Sequence, residues 1–165
     1  MKRYLCLALL PLALLVGCAG PAPEVLTEPP ALTVRCGETA GEAIRGTTSW
    51  YYDNGDGTQS GFEADSLHPM DEAARDLTPR LIPPDGSEAP AASLEWDTPP
   101  DTVTVRRWSD TLWGDTGAPA EEVAVEDGTI ALSEGGWVCE VTALWSSPEH
   151  WGGTASYSFH AGPAK

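Results

Sequence analysis

The run Asp53-Asn54-Gly55-Asp56-Gly57 offers carboxylate and amide oxygens of the kind that bind Ca²⁺. It does not follow the calcium-loop pattern D-x-[DN]-x-[DN]-G, because Gly55 and Gly57 fall at ligand positions counted from Asp53. Asn-Gly and Asp-Gly are also typical of tight hairpin turns. A turn is therefore the favoured interpretation, and an incidental calcium site formed by Asp53, Asn54 and Asp56 is the alternative.

The residues that commonly act as nucleophiles or bases form no recognisable catalytic motif. His68, His150 and His160 are far apart in the chain and lack the spacing of metal ligands. No G-x-S-x-G, S-x-x-K, P-loop or H-E-x-x-H motif occurs. We therefore expect a protein without enzymatic activity, cofactor or bound metal. A hydrolase whose site assembles only in the fold is the alternative.

The seven tryptophans fall into two groups. One group shares the strand parity of apolar neighbours and is expected to pack in a core, with the indole N–H groups bonded. The other group has outward parity or a loop context, which is typical of aromatic side chains that bind glycans or protein partners. The alternative for this second group is that it caps the ends of the core. The core group is Trp50, Trp96, Trp137 and Trp145, and the candidate ligand-binding group is Trp108, Trp113 and Trp151.

The N-terminus has the layout of a secretory signal. Lys2 and Arg3 precede an uncharged apolar stretch of about 13 residues, shorter than the roughly 20 helical residues that span a bilayer. The stretch ends in Leu15-Val16-Gly17-Cys18, which resembles the lipobox of bacterial lipoproteins. This resemblance implies that residues 1–17 are removed and that the thiol of Cys18 carries a diacylglycerol. An ordinary signal peptide with an incidental cysteine is the alternative.

Composition divides the remaining chain into a tether and a domain. Residues 18–31 comprise the lipidated cysteine and a Pro/Ala-rich segment, which is expected to form an extended tether. Residues 32–165 are expected to form one domain. The formal net charge of −16 argues against nucleic acid as a partner, because affinity for phosphates comes largely from Lys and Arg. The predicted partners are the membrane, reached through the lipid on its extracytoplasmic face, and a protein or glycan.

Alternating apolar and polar residues predict roughly seven or eight short strands. Little helix is expected beyond one short helix over residues 71–77. Short strands joined by turns predict an all-β fold, an antiparallel sandwich of two sheets. The predicted strands are residues 32–36, 46–52, 93–97, 102–108, 122–125, 129–132, 136–145 and 154–160.

The four cysteines have different expected fates. Cys6 leaves with the signal segment and Cys18 is lipidated. Cys36 and Cys139 remain, on the inward faces of an early and a late strand. Outside the cytoplasm such a pair is predicted to form a disulfide. The alternative is a pair of buried thiols that pack without bonding.

Strand and turn patterns are clearest in residues 46–50, 68–69, 100–105, 136–145 and 153–159. Together these segments resemble a group of small uncharacterised lipoproteins of Gram-positive bacteria, and the final two strands are similar to those of immunoglobulin-like and fibronectin-type modules. The resemblance implies location and fold, and it assigns no functional residue. We expect a membrane-anchored, non-enzymatic binding or interaction module at the cell surface. Glycan or cell-wall binding through the surface tryptophans is the alternative.

Overall fold

The computed structural model describes residues 24–83, 90–147 and 150–162. The predicted signal segment, residues 1–17, and the predicted lipidation site Cys18 lie outside the described residues. Both therefore stay predictions. Within the described ranges, no helix is long and apolar enough to cross a bilayer.

The described residues form two β-sheets, which confirms the predicted all-β sandwich. Its strands are β1 (Thr33–Cys36), β2 (Thr39–Glu42), β3 (Ile44–Asp53), β4 (Gln59–Ala64), β5 (Arg80–Leu81), β6 (Ala91–Glu95), β7 (Thr102–Ser109), β8 (Glu121–Val123), β9 (Val125–Glu126), β10 (Thr129–Ala131), β11 (Trp137–Ser147) and β12 (Trp151–Ala161). The smaller sheet has the order β2-β1-β6-β10-β9, and the larger has the order β4-β3-β12-β11-β7-β8. All of these pairings are antiparallel, whereas β5 adds to β12 in parallel.

Helix is limited to two short 3-10 turns in the described residues. The first, Glu72–Ala74, lies in the predicted helix of residues 71–77. Asp71 caps it, since its side chain accepts a hydrogen bond from the backbone N–H of Ala73. The second turn, Asp110–Leu112, follows β7 directly.

The core lies between the two sheets, and on strands such as β1 and β6 its buried residues alternate with more exposed ones. On β11 and β12 the register pairs Cys139 with Phe159 and Val141 with Tyr157, and all four are buried. This alternation is the one predicted from the sequence, because successive strand side chains point to opposite faces. Trp50 and Trp145 are buried in the same core, whereas Trp96 and Trp137 pack against it half-buried.

A second, smaller apolar cluster covers the outer face of the larger sheet. Trp108 has the outward parity predicted for it, yet only 2% of it is exposed. It packs with Met70, Ala118 and Val138, and its indole N–H donates to the carbonyl of Ala118 at 3.1 Å. The prediction of an exposed Trp108 is therefore wrong. Irregular segments cross this face of the sheet and bury a side chain that an uncovered sheet would expose.

Residues 24–30, here called the strap, lie against the domain although they belong to the predicted tether. A proline-rich extended backbone makes no internal hydrogen bonds, so its carbonyls are available to other groups. Side chains of β3 and β12 donate to four of them. The contacts are Trp151 Nε1 with Glu24 O (3.2 Å), Trp50 Nε1 with Leu26 O (3.0 Å), Arg45 Nη1 with Pro29 O (3.1 Å) and Tyr157 Oη with Pro30 O (2.5 Å).

Cys36 and Cys139 are both free and fully buried in the core between the sheets. The predicted disulfide is therefore not formed in the structure, and the alternative of two packed thiols describes it. Free cysteine behaves as a small hydrophobic residue, so the core accommodates both without a bond.

Candidate functional site

A cavity of about 200 Å³ opens at the end of the larger sheet where β12 finishes. We call it the His160 cavity. Four separate parts of the chain contribute to it: the segment after the first 3-10 turn, β5, the turn after β7, and β12. Its lining residues are Arg75, Thr78, Arg80, Asp110, Trp113 and His160.

Strand pairing brings two of these residues together. The parallel register of β5 with β12 sets Arg80 opposite His160, and the backbone N–H of His160 donates to the carbonyl of Pro79 at 2.8 Å. Thr78 precedes this pair and is buried, and its hydroxyl donates to the carbonyl of Ala74 at 2.8 Å. One wall of the cavity is thus fixed by backbone hydrogen bonds.

The side chain of His160 faces the carboxylate of Asp110. Their Nε2 and Oδ2 atoms are 3.0 Å apart, and the side chains are 7% and 30% exposed. Asp110 is held by its backbone N–H, which donates to the carbonyl of Gly136 at 3.0 Å. A Cβ atom on Gly136 would lie only 1.9 Å from Asp110 Oδ2. Only glycine at this position lets the carboxylate reach the imidazole.

Trp113 forms the aromatic part of the cavity. Its ring lies 5.2 Å from the ring of His160, and the guanidinium of Arg75 lies 5.1 Å from its centroid. The indole is half-buried, and its Nε1 is buried without a hydrogen-bond partner among the described residues. Arg75 is also held by Glu72, with Nη1 and Oε1 2.9 Å apart, and by the carbonyl of Trp113 at 3.4 Å.

The three predicted ligand-binding tryptophans do not form one surface. Trp113 lines the cavity and packs against the cluster that contains Trp108. Trp151 lies at the start of β12, far from the cavity at the end of that strand. Its ring stacks on Trp50 with centroids 5.7 Å apart, and the strap carbonyl of Glu24 accepts its N–H.

The three histidines have separate environments. His68 Nδ1 accepts a hydrogen bond from the backbone N–H of Met70 at 3.1 Å, which is a structural role. His150 Nδ1 lies 3.7 Å from Asp53 Oδ2, and His160 faces Asp110. Nowhere in residues 24–83, 90–147 and 150–162 do three His, Cys, Asp or Glu side chains form a group that could hold a metal ion.

The calcium candidate Asp53, Asn54 and Asp56 forms a turn between β3 and β4. Gly55 and Gly57 have φ values of 79° and 85°, which favour glycine. Asp56 Oδ1 accepts from the backbone N–H and the hydroxyl of Thr58, and these bonds lower the pKa of its carboxyl. The turn interpretation is confirmed, because β3 and β4 pair antiparallel on either side of these residues, with Asp53 opposite Gln59.

Sequence patterns did not single out most of the cavity. Arg75 lies in the predicted helix of residues 71–77, whereas Thr78, Arg80 and Asp110 lie outside the predicted elements. Only the fold brings these four residues together. His160 is the last residue of the predicted strand 154–160. The sequence indicates this residue only through its position: it has the same outward parity as Ser158 and lies near the end of β12.

The chain has no match among known proteins in three comparisons. A scan against protein-family models, a search of curated proteins and a search of solved structures each found none.

Proposed function

We propose that the protein is a lipoprotein anchored to the extracytoplasmic face of the cell membrane through Cys18, and that its β-sandwich is a non-enzymatic binding module. The observation that carries the binding role is the His160 cavity. It gathers two arginines, an aromatic ring and a His-Asp pair from four separate parts of the chain. Concave sites with a few convergent polar groups are typical of ligand binding.

The anchoring part of the proposal rests on the N-terminal sequence. Cys18→Ser removes the thiol that would carry the lipid, so we expect loss of incorporated fatty acid and loss of partitioning into a detergent phase. Metabolic labelling with a palmitate analogue measures the first, and phase separation measures the second. A Cys18→Ser chain that still incorporates the analogue would contradict the anchor.

The binding part is tested by comparing Trp113, which lines the cavity where β12 ends, with Trp151 at the start of β12. The full-length protein in detergent is used to capture partners from envelope extracts and from fragmented cell wall. We expect Trp113→Ala to reduce capture about 10-fold or more, as for a central aromatic contact. Trp151→Ala serves as the control and should retain capture. Equal capture by all three proteins would contradict a binding role for the cavity.

Glycan or cell-wall binding is the form of this function that Trp113 favours. A half-exposed indole beside polar groups offers a sugar ring an apolar face and nearby hydrogen-bond donors. Under this version, capture from the cell-wall fraction depends on Trp113. Under the protein-partner version, the dependence on Trp113 is found in the envelope extract.

A hydrolase is the second candidate function, and the pairing of His160 with Asp110 favours it. A His-Asp pair in a cleft can orient a general base. We rank it below binding because the His160 side chain is 7% exposed and the Thr78 hydroxyl already donates to Ala74. Hydrolysis of ester, amide or glycosidic model substrates that is lost in His160→Gln would reverse this ranking.

A further inference from the structure

The arginines of this domain are unevenly distributed. The chain has nine Lys and Arg against 25 Asp and Glu, so an isolated cation is easily neutralised by its surroundings. On the sheet faces this is what happens: Arg35 pairs with Glu95 at 3.1 Å and Arg107 with Glu121 at 3.0 Å. Two further arginines, Arg75 and Arg80, line one cavity of about 200 Å³.

Arg75 makes three contacts of its own at the edge of the cavity. Glu72 and the carbonyl of Trp113 each accept from one of its terminal nitrogens, and its plane contacts the Trp113 ring. A guanidinium carries five N–H donors, so these two bonds leave donors for a ligand. An arginine that is already ordered loses less conformational entropy on binding.

The carboxylates near the cavity oppose anion binding, and their own contacts limit this effect. Asp110 Oδ2 faces His160 Nε2 at 3.0 Å, and Glu72 Oε1 faces Arg75 at 2.9 Å. Each of these carboxylates therefore has a hydrogen-bonding or cationic neighbour of its own.

We propose that the His160 cavity binds an oxyanion, the carboxylate or phosphate end group of a larger ligand, through Arg75 and Arg80. This inference rests on the proposed binding function of the same cavity. The planar guanidinium group of an arginine can donate two parallel hydrogen bonds to a carboxylate or to a phosphate. The cavity is smaller than the roughly 300 Å³ at which sites for whole drug-sized ligands begin. An end group therefore enters it, and the remainder of the ligand lies over Trp113.

The test uses the full-length protein in detergent with inorganic phosphate, acetate and, at matched ionic strength, chloride. Tryptophan fluorescence and the thermal unfolding midpoint are measured against concentration. We expect a saturable response to phosphate, acetate or both, and none to chloride. A response to one oxyanion alone identifies whether the end group is a phosphate or a carboxylate. No saturable response to either would overturn the inference.

Matched variants connect the response to the cavity. Arg75→Gln and Arg80→Gln should each weaken oxyanion affinity roughly 10-fold or more, as for loss of a charged hydrogen bond. Arg35→Gln, which removes an arginine on the smaller sheet, is the control and should leave affinity unchanged. Arg75→Lys and Arg80→Lys keep the charge and should show intermediate affinity, which separates loss of binding from loss of folding.

The outcomes distinguish this inference from the function on which it rests. Trp113-dependent capture of a partner without any oxyanion response would overturn the oxyanion ligand and leave the binding function intact. An affinity that is equal in the wild-type, Arg75→Gln and Arg80→Gln proteins would show that oxyanions bind elsewhere, which also overturns the inference.

Discussion

At the scale of single residues, the contact between Gly136 and Asp110 determines the shape of the cavity. Gly136→Ala would push the Asp110 carboxylate away, because the new Cβ would lie 1.9 Å from Oδ2. We expect a loss of about 1–3 kcal/mol in unfolding free energy, as for overpacking at a tight site. Urea denaturation measures the loss, and NMR of the His160 ring reports on the broken contact.

The control for this substitution is Gly117→Ala. A Cβ on Gly117 would have its nearest neighbour, Asp115 Oδ1, at 3.3 Å, which a small shift accommodates. Its stability should stay close to that of the wild-type protein. If Gly136→Ala were equally mild and left the His160 signals unchanged, Asp110 would not be confined as the structure shows.

Two buried acidic groups predict how stability depends on alkaline pH. Burial raises the pKa of the Cys139 thiol from 9.0 to about 12, with Arg107 opposing and Cys36 reinforcing the shift. Burial likewise raises the pKa of Tyr157 from 10.0 to about 12, opposed by Arg45. Between these ordinary values and about 12, the unfolded chain has lost protons that the folded chain retains. The two protonated groups contribute their full stabilisation below this range. The free energy of unfolding therefore falls as pH rises through it.

Urea midpoints measured from about pH 8 to pH 11 should decline accordingly. Tyr157→Phe removes one of the two groups and should make the decline shallower, whereas Tyr52→Phe should not.

The burial of both cysteines predicts that neither Cys36 nor Cys139 reacts with a thiol reagent in the folded protein and that both react after unfolding without reductant. A reaction of fewer than two thiols in the unfolded domain would show that a disulfide forms after all.

At the scale of elements, the strap is held by side chains that recognise backbone carbonyls. Trp151→Phe removes the N–H that donates to Glu24 at 3.2 Å. We expect faster hydrogen exchange and faster proteolysis in residues 24–30, since a hydrogen bond of this kind contributes about 0.5–1.5 kcal/mol. Trp137→Phe is the matched control, because it also removes an indole bond of 3.2 Å, to Glu134, away from the strap. Equal exchange in both variants would contradict strap docking.

Strand periodicity explains what could be predicted at this scale. The inward faces of β11 and β12 follow from alternation alone, because each apolar side chain has a partner across the sheet. Trp108 shows the limit of this argument: alternation gave its direction correctly but not its burial. The residues that cover it, Met70 and Ala118, lie in irregular segments, and no local pattern predicts where such segments pack.

The same limit applies to the strap and to the cavity. The composition of residues 18–31 predicts an extended chain, but docking depends on indole and phenol donors contributed by distant strands, such as Trp50 and Tyr157. Arg75 and Arg80 likewise come to line one cavity only when β5 pairs with β12. Sites made of loop residues from several segments depend on tertiary packing, and sequence patterns do not encode it locally.

At the scale of the whole molecule, the strap predicts how the domain is oriented on a membrane if Cys18 carries the lipid. Five residues lie between Cys18 and Glu24, so the six steps along the backbone limit their separation to about 22 Å. Glu24 is bonded to Trp151 at the start of β12, and His160 is nine residues further along that strand, about 30 Å away. The strap end should therefore face the lipid, and the His160 cavity should face outward.

Fluorescent labels on introduced cysteines test this orientation in the lipidated protein on vesicles that contain head-group quenchers. Asn54→Cys lies in the turn near Trp151, and Thr111→Cys lies in the 3-10 turn beside the cavity. The native Cys36 and Cys139 are buried and stay unlabelled. We expect strong quenching at position 54 and little at position 111, and Trp151→Phe should reduce the difference because it loosens the strap. Equal quenching at both positions in the otherwise unchanged protein would show that the strap does not orient the domain.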